Sequence, residues 1–196
     1  MYSSKQKILN DFSLGKFIIV FDKKREIEGD FFCLAENITA QKINFLLKYA
    51  KGLICTACDE KILDKLEIPL MVKNNKNPHG TNFCVSIDAK KNITTGISAA
   101  DRAETIRLLT QKKTTKENFI IPGHTFPLKA QNDYKKRFGH TEASVYLAKK
   151  CNKIPVVVIC EILNEEGEKA SQKELLEISK KNNIPIIELQ EILDLY

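Results

Sequence analysis

The amino-acid sequence predicts an α+β fold (α/β mixed), a single domain with a mixed β-sheet core covered by helices. Three observations carry this. Segments with apolar residues at helical spacing intermix with short apolar β runs. No internal repeat or linker divides the 196 residues, so residues 1–196 read as one domain. The run Val156–Cys160 is apolar at every position, as in a strand buried on both faces.

The elements follow in order. Ser3–Gly15 reads as a short helix with Ile8, Phe12 and Leu14 on its apolar side, ended by Gly15. Phe17–Phe21 is a β run that breaks into the charged string 22–30, and strand character resumes over Phe31–Leu34. Thr39 is placed to cap a helix through Tyr49. Leu53–Ala57 reads as a strand, and Asp59 as the cap of a helix ending before Pro69. Asn74–Thr81 is a polar loop, Phe83–Ile87 a strand, and Thr94–Ala100 a loop before a helix opened by Asp101. Pro122–Pro127 reads as loop, and a helix follows Gly139. The strand Val156–Ile162 leads through a turn at 164–167 to a helix over Leu175–Lys180, a strand over Ile184–Ile187 and a short closing helix.

Composition excludes several classes. The formal charge is +6, but the lysines are scattered among acids and no aromatic stacking residues accompany them, so no nucleic-acid partner is expected. No apolar run approaches the ~18 residues of a membrane span, so no membrane partner is expected either. The N-terminal stretch lacks a secretory apolar run, and a cytoplasmic location is expected. Most of the six cysteines sit in apolar stretches and read as small core residues rather than disulfides; Cys55 is placed to face a site from its strand.

Four constellations carry chemistry. Arg25-Glu26-Ile27-Glu28-Gly29-Asp30 puts three carboxylates in six residues; an extended stretch turns Glu26, Glu28 and Asp30 to one side. Such carboxylates repel unless a cation or shared protons offset them, and a hard divalent ion is the usual partner. A solvated charged turn explains the same residues without any ion. Arg137-Phe138-Gly139-His140-Thr141-Glu142 precedes a helical segment, where free N–H groups, Arg137 and Thr141 suit a phosphate and His140 suits a metal. An ordinary helix start explains it equally well. His124 lies in the Gly/Pro-bounded stretch 123–127, and Glu161 follows five apolar residues, either as a buried acid/base or as a strand reaching the surface.

These pieces occur in the order of one family. The segments REIEGD (25–30), GLIC (52–55), IPLMV (68–72), HGTNFCVSIDA (79–89), TTGISAADRAETI (94–106), PGHTFPLKAQ (122–131), RFGHTEAS (137–144) and CEILNEEG (160–167) together resemble 3,4-dihydroxy-2-butanone 4-phosphate synthase from about Leu14 to Leu193. The resemblance implies a lyase of riboflavin biosynthesis that converts ribulose 5-phosphate to a four-carbon phosphate and formate, through a metal-stabilised enediolate, dehydration, skeletal rearrangement and formate loss. It implies Mg2+ or Mn2+, two ions per active site, with Glu26 and His140 as protein ligands, and no organic cofactor. It implies substrate contacts from Arg25, Glu26, Asp30, Thr95, Arg137, Gly139, His140, Thr141 and Glu161, and catalytic roles for Glu28, Asp30, Cys55, His124 and Glu161. It further implies a homodimer with sites at the interface, and a form without the fused GTP cyclohydrolase II domain that some relatives carry.

The sequence departs from the family pattern at Phe21, where an acid is usual, at Lys24, where an acid is common, and at Ile27, where Asn or Gly is common. Phe21 and Ile27 leave open a related enzyme acting on another sugar phosphate; a non-catalytic dimeric binding protein on the same scaffold is the other alternative, which loss of His124, Glu161 or the Glu26–His140 pair would favour, and none is lost.

Overall fold

The structure, a computed structural model, describes residues 2–195. A seven-stranded mixed sheet runs in the order β4-β5-β3-β6-β2-β1-β7. The strands are β1 (Ile18–Asp22), β2 (Glu28–Leu34), β3 (Cys55–Asp59), β4 (Ile87–Ala89), β5 (Phe119–Ala130), β6 (Val156–Glu161) and β7 (Ile186–Glu188). The helices are α1 (Lys5–Ser13), α2 (Ala40–Phe45), α3 (Glu60–Lys65), α4 (Ala99–Leu108), α5 (His140–Lys150) and α6 (Gln172–Asn182). Short 3₁₀ turns and a π-helical turn at Leu46–Ala50 complete the chain.

Strand alternation builds two cores, one on each sheet face. Ile19, Phe21, Phe31, Cys33, Val156, Val158 and Cys160 pack with α2, α3, α4 and α6. Ile18, Val20, Phe32, Leu34, Cys55, Ala57, Val157 and Ile159 pack with α1, α5 and the closing 3₁₀ turn. The central run 156–160 is therefore buried on both faces, as its composition predicts.

Caps explain most helix starts. Ser4, Thr39, Asp59 and Ser171 each accept a backbone N–H of the first turn. Ser98, not Asp101, caps α4; Asp101 lies in the first turn and its carboxylate instead binds Thr94 and Gly96. Leu14 is 68% exposed rather than on the apolar side of α1, because the helix has already ended at Ser13. Residues 83–86 make only isolated bridges, so the strand expected at Phe83–Ile87 is reduced to β4.

The stretch Pro122–Pro127 is not loop but part of β5. Pairing with β3 covers only 126–130, so Pro122 lies where β5 is flanked by β4 alone and needs no second ladder. Ile87 pairs with Thr125 and Asp88 with Ile120, so residues 121–124 bulge out between them. Side chains satisfy the bulge: Gly123 N–H donates to Ser86 Oγ at 3.1 Å and His124 N–H to Asp88 Oδ1 at 2.9 Å.

A Cβ on Gly123 would lie 2.1 Å from the Ile87 carbonyl carbon and 2.3 Å from the Asp88 nitrogen. Gly123→Ala must therefore separate β4 from β5. It is expected to destabilise by about 1–3 kcal/mol or more, the usual range for overpacking; an unchanged urea midpoint would contradict this.

Candidate active site

Strand parity selects the site. Glu28 and Asp30 on β2, Cys55 on β3, Leu128 on β5 and Glu161 on β6 belong to the sheet face that α5 covers. The N-terminus of α5 reaches this face and delivers His140 and Thr141. Glu26, Glu28, Asp30, Cys55, Arg137, His140, Thr141 and Glu161 all line one cavity of about 230 Å³.

Glu26 reaches the cavity by a different route from the expected one. Ile27 has φ 50°, so the stretch 26–30 is not continuously extended and strand alternation begins only at Glu28. Asp22 shapes the turn before it: its carboxylate accepts from Lys24 N at 2.9 Å, Arg25 N at 3.1 Å and Glu26 N at 3.4 Å. Arg25 is exposed and lies outside the cavity.

A buried imidazole faces the carboxylates from the start of α5. His140 Nδ1 lies 2.9 Å from Glu26 Oε2, and Nε2 lies 3.2 Å from the Val20 carbonyl and 3.8 Å from Asp30 Oδ1. Burial alone would lower the His140 pKa, but Asp30, Glu26 and Glu28 outweigh it and raise it to about 9. The His140 hydrogen bond is the main cause that holds Glu26 below the usual carboxylate range. Burial pushes Glu28, Asp30 and Glu161 upward, Asp30 most strongly. Burial likewise keeps the Cys55 thiol protonated.

Asp30 and Glu161 are register partners on β2 and β6. Asp30 Oδ1 is buried with no hydrogen-bond partner, whereas Glu161 Oε2 accepts from Leu53 N at 2.9 Å. Glu26, Glu28 and His140 each offer a ligand atom, and these atoms lie within 4.8 Å of one another. An orphaned carboxylate oxygen beside oxygen and imidazole donors fits a hard divalent ion. The Val20 carbonyl can hold Nε2–H, which orients Nδ1 toward the carboxylates as a ligating nitrogen requires.

Arg137 is buried at the cavity wall. It donates to the His79 carbonyl at 3.0 Å, to Thr81 Oγ1 at 2.9 Å and to Glu142, leaving one hydrogen on each terminal nitrogen for a ligand. Gly139 caps α5, its N–H donating to Glu142 Oε2 at 3.2 Å, and it is not among the lining residues. His79, Thr81, Asn77 and Lys169 line the cavity although sequence reasoning assigned them no role. His79 stood in plain view, beside Gly80 in a segment singled out for its resemblance.

His124 and Thr95 do not join this cavity. His124 Nδ1 lies 2.6 Å from Asp88 Oδ2 at an exposed face, with Gly96 packed against both residues. Thr95 is exposed on the adjoining loop. The exposed Ile120 and Ile121 sit on the same strand, and exposed Ile97 follows Gly96.

His140 fixes a pH dependence. Its folded pKa of about 9 exceeds the ordinary 6.5, so its contribution to stability is complete below pH 6.5 and is lost as pH rises through 9. Metal-free protein should therefore lose stability relative to His140→Gln over that window, on the order of a few kcal/mol. Urea unfolding of both proteins across the pH range checks this, and a constant difference between them would contradict it.

Comparison with known proteins gives a consistent match. Residues 6–195 match the family described as 3,4-dihydroxy-2-butanone 4-phosphate synthase. The chain is 42% identical to the 3,4-dihydroxy-2-butanone 4-phosphate synthase of Neisseria meningitidis serogroup A, over 96% of this chain and 52% of that protein. It is 43% identical to riboflavin biosynthesis protein RibBA of Bacillus subtilis, over 98% of this chain and 49% of that protein. The chain thus spans about half the length of the curated relatives it matches. A crystal structure of a 3,4-dihydroxy-2-butanone 4-phosphate synthase in complex with two magnesium ions superimposes with a TM-score of 0.93 at 32% identity, covering 98% of this chain and 96% of that one.

Proposed function

The chain belongs to the 3,4-dihydroxy-2-butanone 4-phosphate synthase family, and from that premise we propose that it is a lyase converting D-ribulose 5-phosphate to L-3,4-dihydroxy-2-butanone 4-phosphate and formate. The observation that carries this reading is the gathering of eight expected residues, from Glu26 to Glu161, around one cavity.

Glu26 and His140 hold the divalent metal, Mg2+ or Mn2+, with Glu28 adjacent, and two ions serve each site. A bound ion supplies Lewis-acid polarisation of neighbouring substrate oxygens. The chain's own residues do the rest. Arg137 and Thr141, at the start of α5, hold the phosphate, a remote handle that positions the reacting end. Glu161, held at Oε2 by Leu53 N–H, moves protons, and burial raises its pKa above the usual carboxylate range, which favours its acid form. Asp30, its register partner, is a second proton reservoir, and Cys55 presents a protonated thiol beside them. No organic cofactor takes part. The protein acts in the cytoplasm as a homodimer, in which His124 and Thr95 of each protomer complete the cavity of the other. The apolar surface at Ile97, Ile120 and Ile121 supports this pairing.

Purified protein supplied with ribulose 5-phosphate and Mg2+ should release formate; chelator should stop this, and Mg2+ or Mn2+ should restore it. Glu161→Gln should lower turnover roughly 100-fold or more while substrate still binds in calorimetry. Arg137→Lys should instead weaken binding, because it loses the planar fork. The absence of formate at any metal concentration would refute the reading.

The shared site has its own test. Glu161→Gln and His124→Ala should each be nearly inactive alone. Unfolded and refolded together, they should recover about a quarter of wild-type activity, since half the dimers are mixed and each mixed dimer has one intact site. An active monomer in light scattering, or no recovery on mixing, would refute the shared site.

A further inference from the structure

The acidic loop closes the β1–β2 hairpin between paired ends, Asp22 opposite Glu28, and its weak point is the tip. Asp22 receives the N–H groups of residues 24, 25 and 26, but beyond Glu26 the backbone turns left-handed at Ile27, a β-branched residue with φ 50° and 62% exposure. That conformation is costly for such a side chain, and the exposed side chain packs too little to offset it. Yet both ligand-bearing carboxylates hang on this peptide: Glu26 precedes it and Glu28 follows it.

Lys169 adds a tie at that tip. Its Nζ donates to the Glu26 carbonyl at 2.6 Å, at the peptide that leads into Ile27. Its backbone is fixed independently of the loop. Lys169 bridges Leu163 across the turn 164–168, Ala170 N–H donates to Ile162 O at 2.9 Å, and Asn164 N–H donates to Glu168 O at 2.8 Å. That hairpin continues β6, the strand that ends in Glu161. Lys169 lines the site cavity together with Glu26 and Glu28, and also borders the adjoining hollow formed with Phe21 and Ile27.

We propose that Lys169 is a positioning residue: its ammonium clamps the Glu26 carbonyl to the hairpin after β6 and so fixes the acidic loop in the conformation that presents Glu26 and Glu28 to His140. A charged donor on a carbonyl is among the stronger protein hydrogen bonds. The clamp ties the loop to the same strand that carries Glu161, so carboxylates from separate parts of the chain keep one geometry. It also means that the ordering of the loop precedes cation binding rather than being a cost of it.

The proposal rests on the metal-site reading above, and its test separates the two. Lys169→Met keeps length and apolar stem but removes the donor; Lys169→Arg keeps a charged donor. Hydrogen exchange on metal-free protein should show amides 23–28 exchanging roughly tenfold or more faster in Lys169→Met, with the rest of the chain unchanged and Tm little altered, since Lys169 is exposed. Calorimetry with Mg2+ alone should show several-fold weaker binding, and Lys169→Arg should restore both quantities. Unchanged exchange in residues 23–28 of Lys169→Met would overturn the proposal. So would tighter Mg2+ binding by Lys169→Met, which would make Lys169 a competing charge instead. Exchange is read without substrate or metal, so absence of formate release would sink the proposed reaction while leaving the clamp standing.

Discussion

The register between β2 and β6 places Asp30 opposite Glu161, and the chemistry of the site depends on it. Neither strand can slip. A one-residue shift would send Phe32, Leu34, Val157 and Ile159 to the opposite core, and both cores are closed by helices. Apolar packing over the length of two strands therefore forces two carboxylates together at their ends, where burial raises both pKa values. The site borrows the stability of the sheet to hold a charge arrangement that opposes folding. Gly52 belongs to the same arrangement: a Cβ there would sit 2.3 Å from the Glu161 carbonyl oxygen and 2.8 Å from Oε2.

The offsetting cation comes from α5. Ala143, Val145, Leu147 and Ala148 are fully buried against the sheet, so the helix has one seating, and that seating aims His140 at Glu26 and Asp30. A buried imidazole would ordinarily shed its proton; among these carboxylates it retains it. Under the proposed metal reading, a divalent ion and a proton on His140 are alternative ways to neutralise one cluster, and metal affinity would then depend on pH.

The packing of helices on both sheet faces was partly legible in the sequence because it rests on periodicity and caps, both local. Val156–Cys160, the Thr39 cap and the Asp59 cap are examples. The α6 helix starts earlier than its apolar part, because Ser171 and Glu174 form a reciprocal cap that periodicity does not register. What escaped was non-local or irregular. Pro122 and Gly123 look like loop formers, and only the pairing with β4 reveals a bulged strand. Ile27 breaks the alternation of the acidic run, a backbone choice that no β-branched residue advertises. Lys169 lies outside every motif segment and enters the site because distant segments fold beside it; His79 lies in such a segment, but its place at the cavity is equally non-local. Asp22 was visible as an acid, but its role in capping the turn at 24–26 needs coordinates.

The departures from the family pattern bear on which substrate the cavity suits. Phe21 is buried on the face of β1 that carries Ile19, in the core on the far side of the sheet from α5, while Val20 supplies the carbonyl that meets His140. Ile27 projects outward and borders the neighbouring hollow with Phe21 and Lys169. Neither residue lines the cavity of Glu26, His140 and Glu161. They were the sequence basis for a redirected pocket, and a residue behind the sheet can reshape a pocket only by moving the backbone between them. The register of β1 on β2, continuous from Ile18↔Phe32 to Asp22↔Glu28, carries no such displacement. Both residues bear instead on the acidic loop, where Lys169 also meets the backbone, while Glu26, Glu28, Asp30, Cys55, Arg137, His140, Thr141 and Glu161 line the cavity.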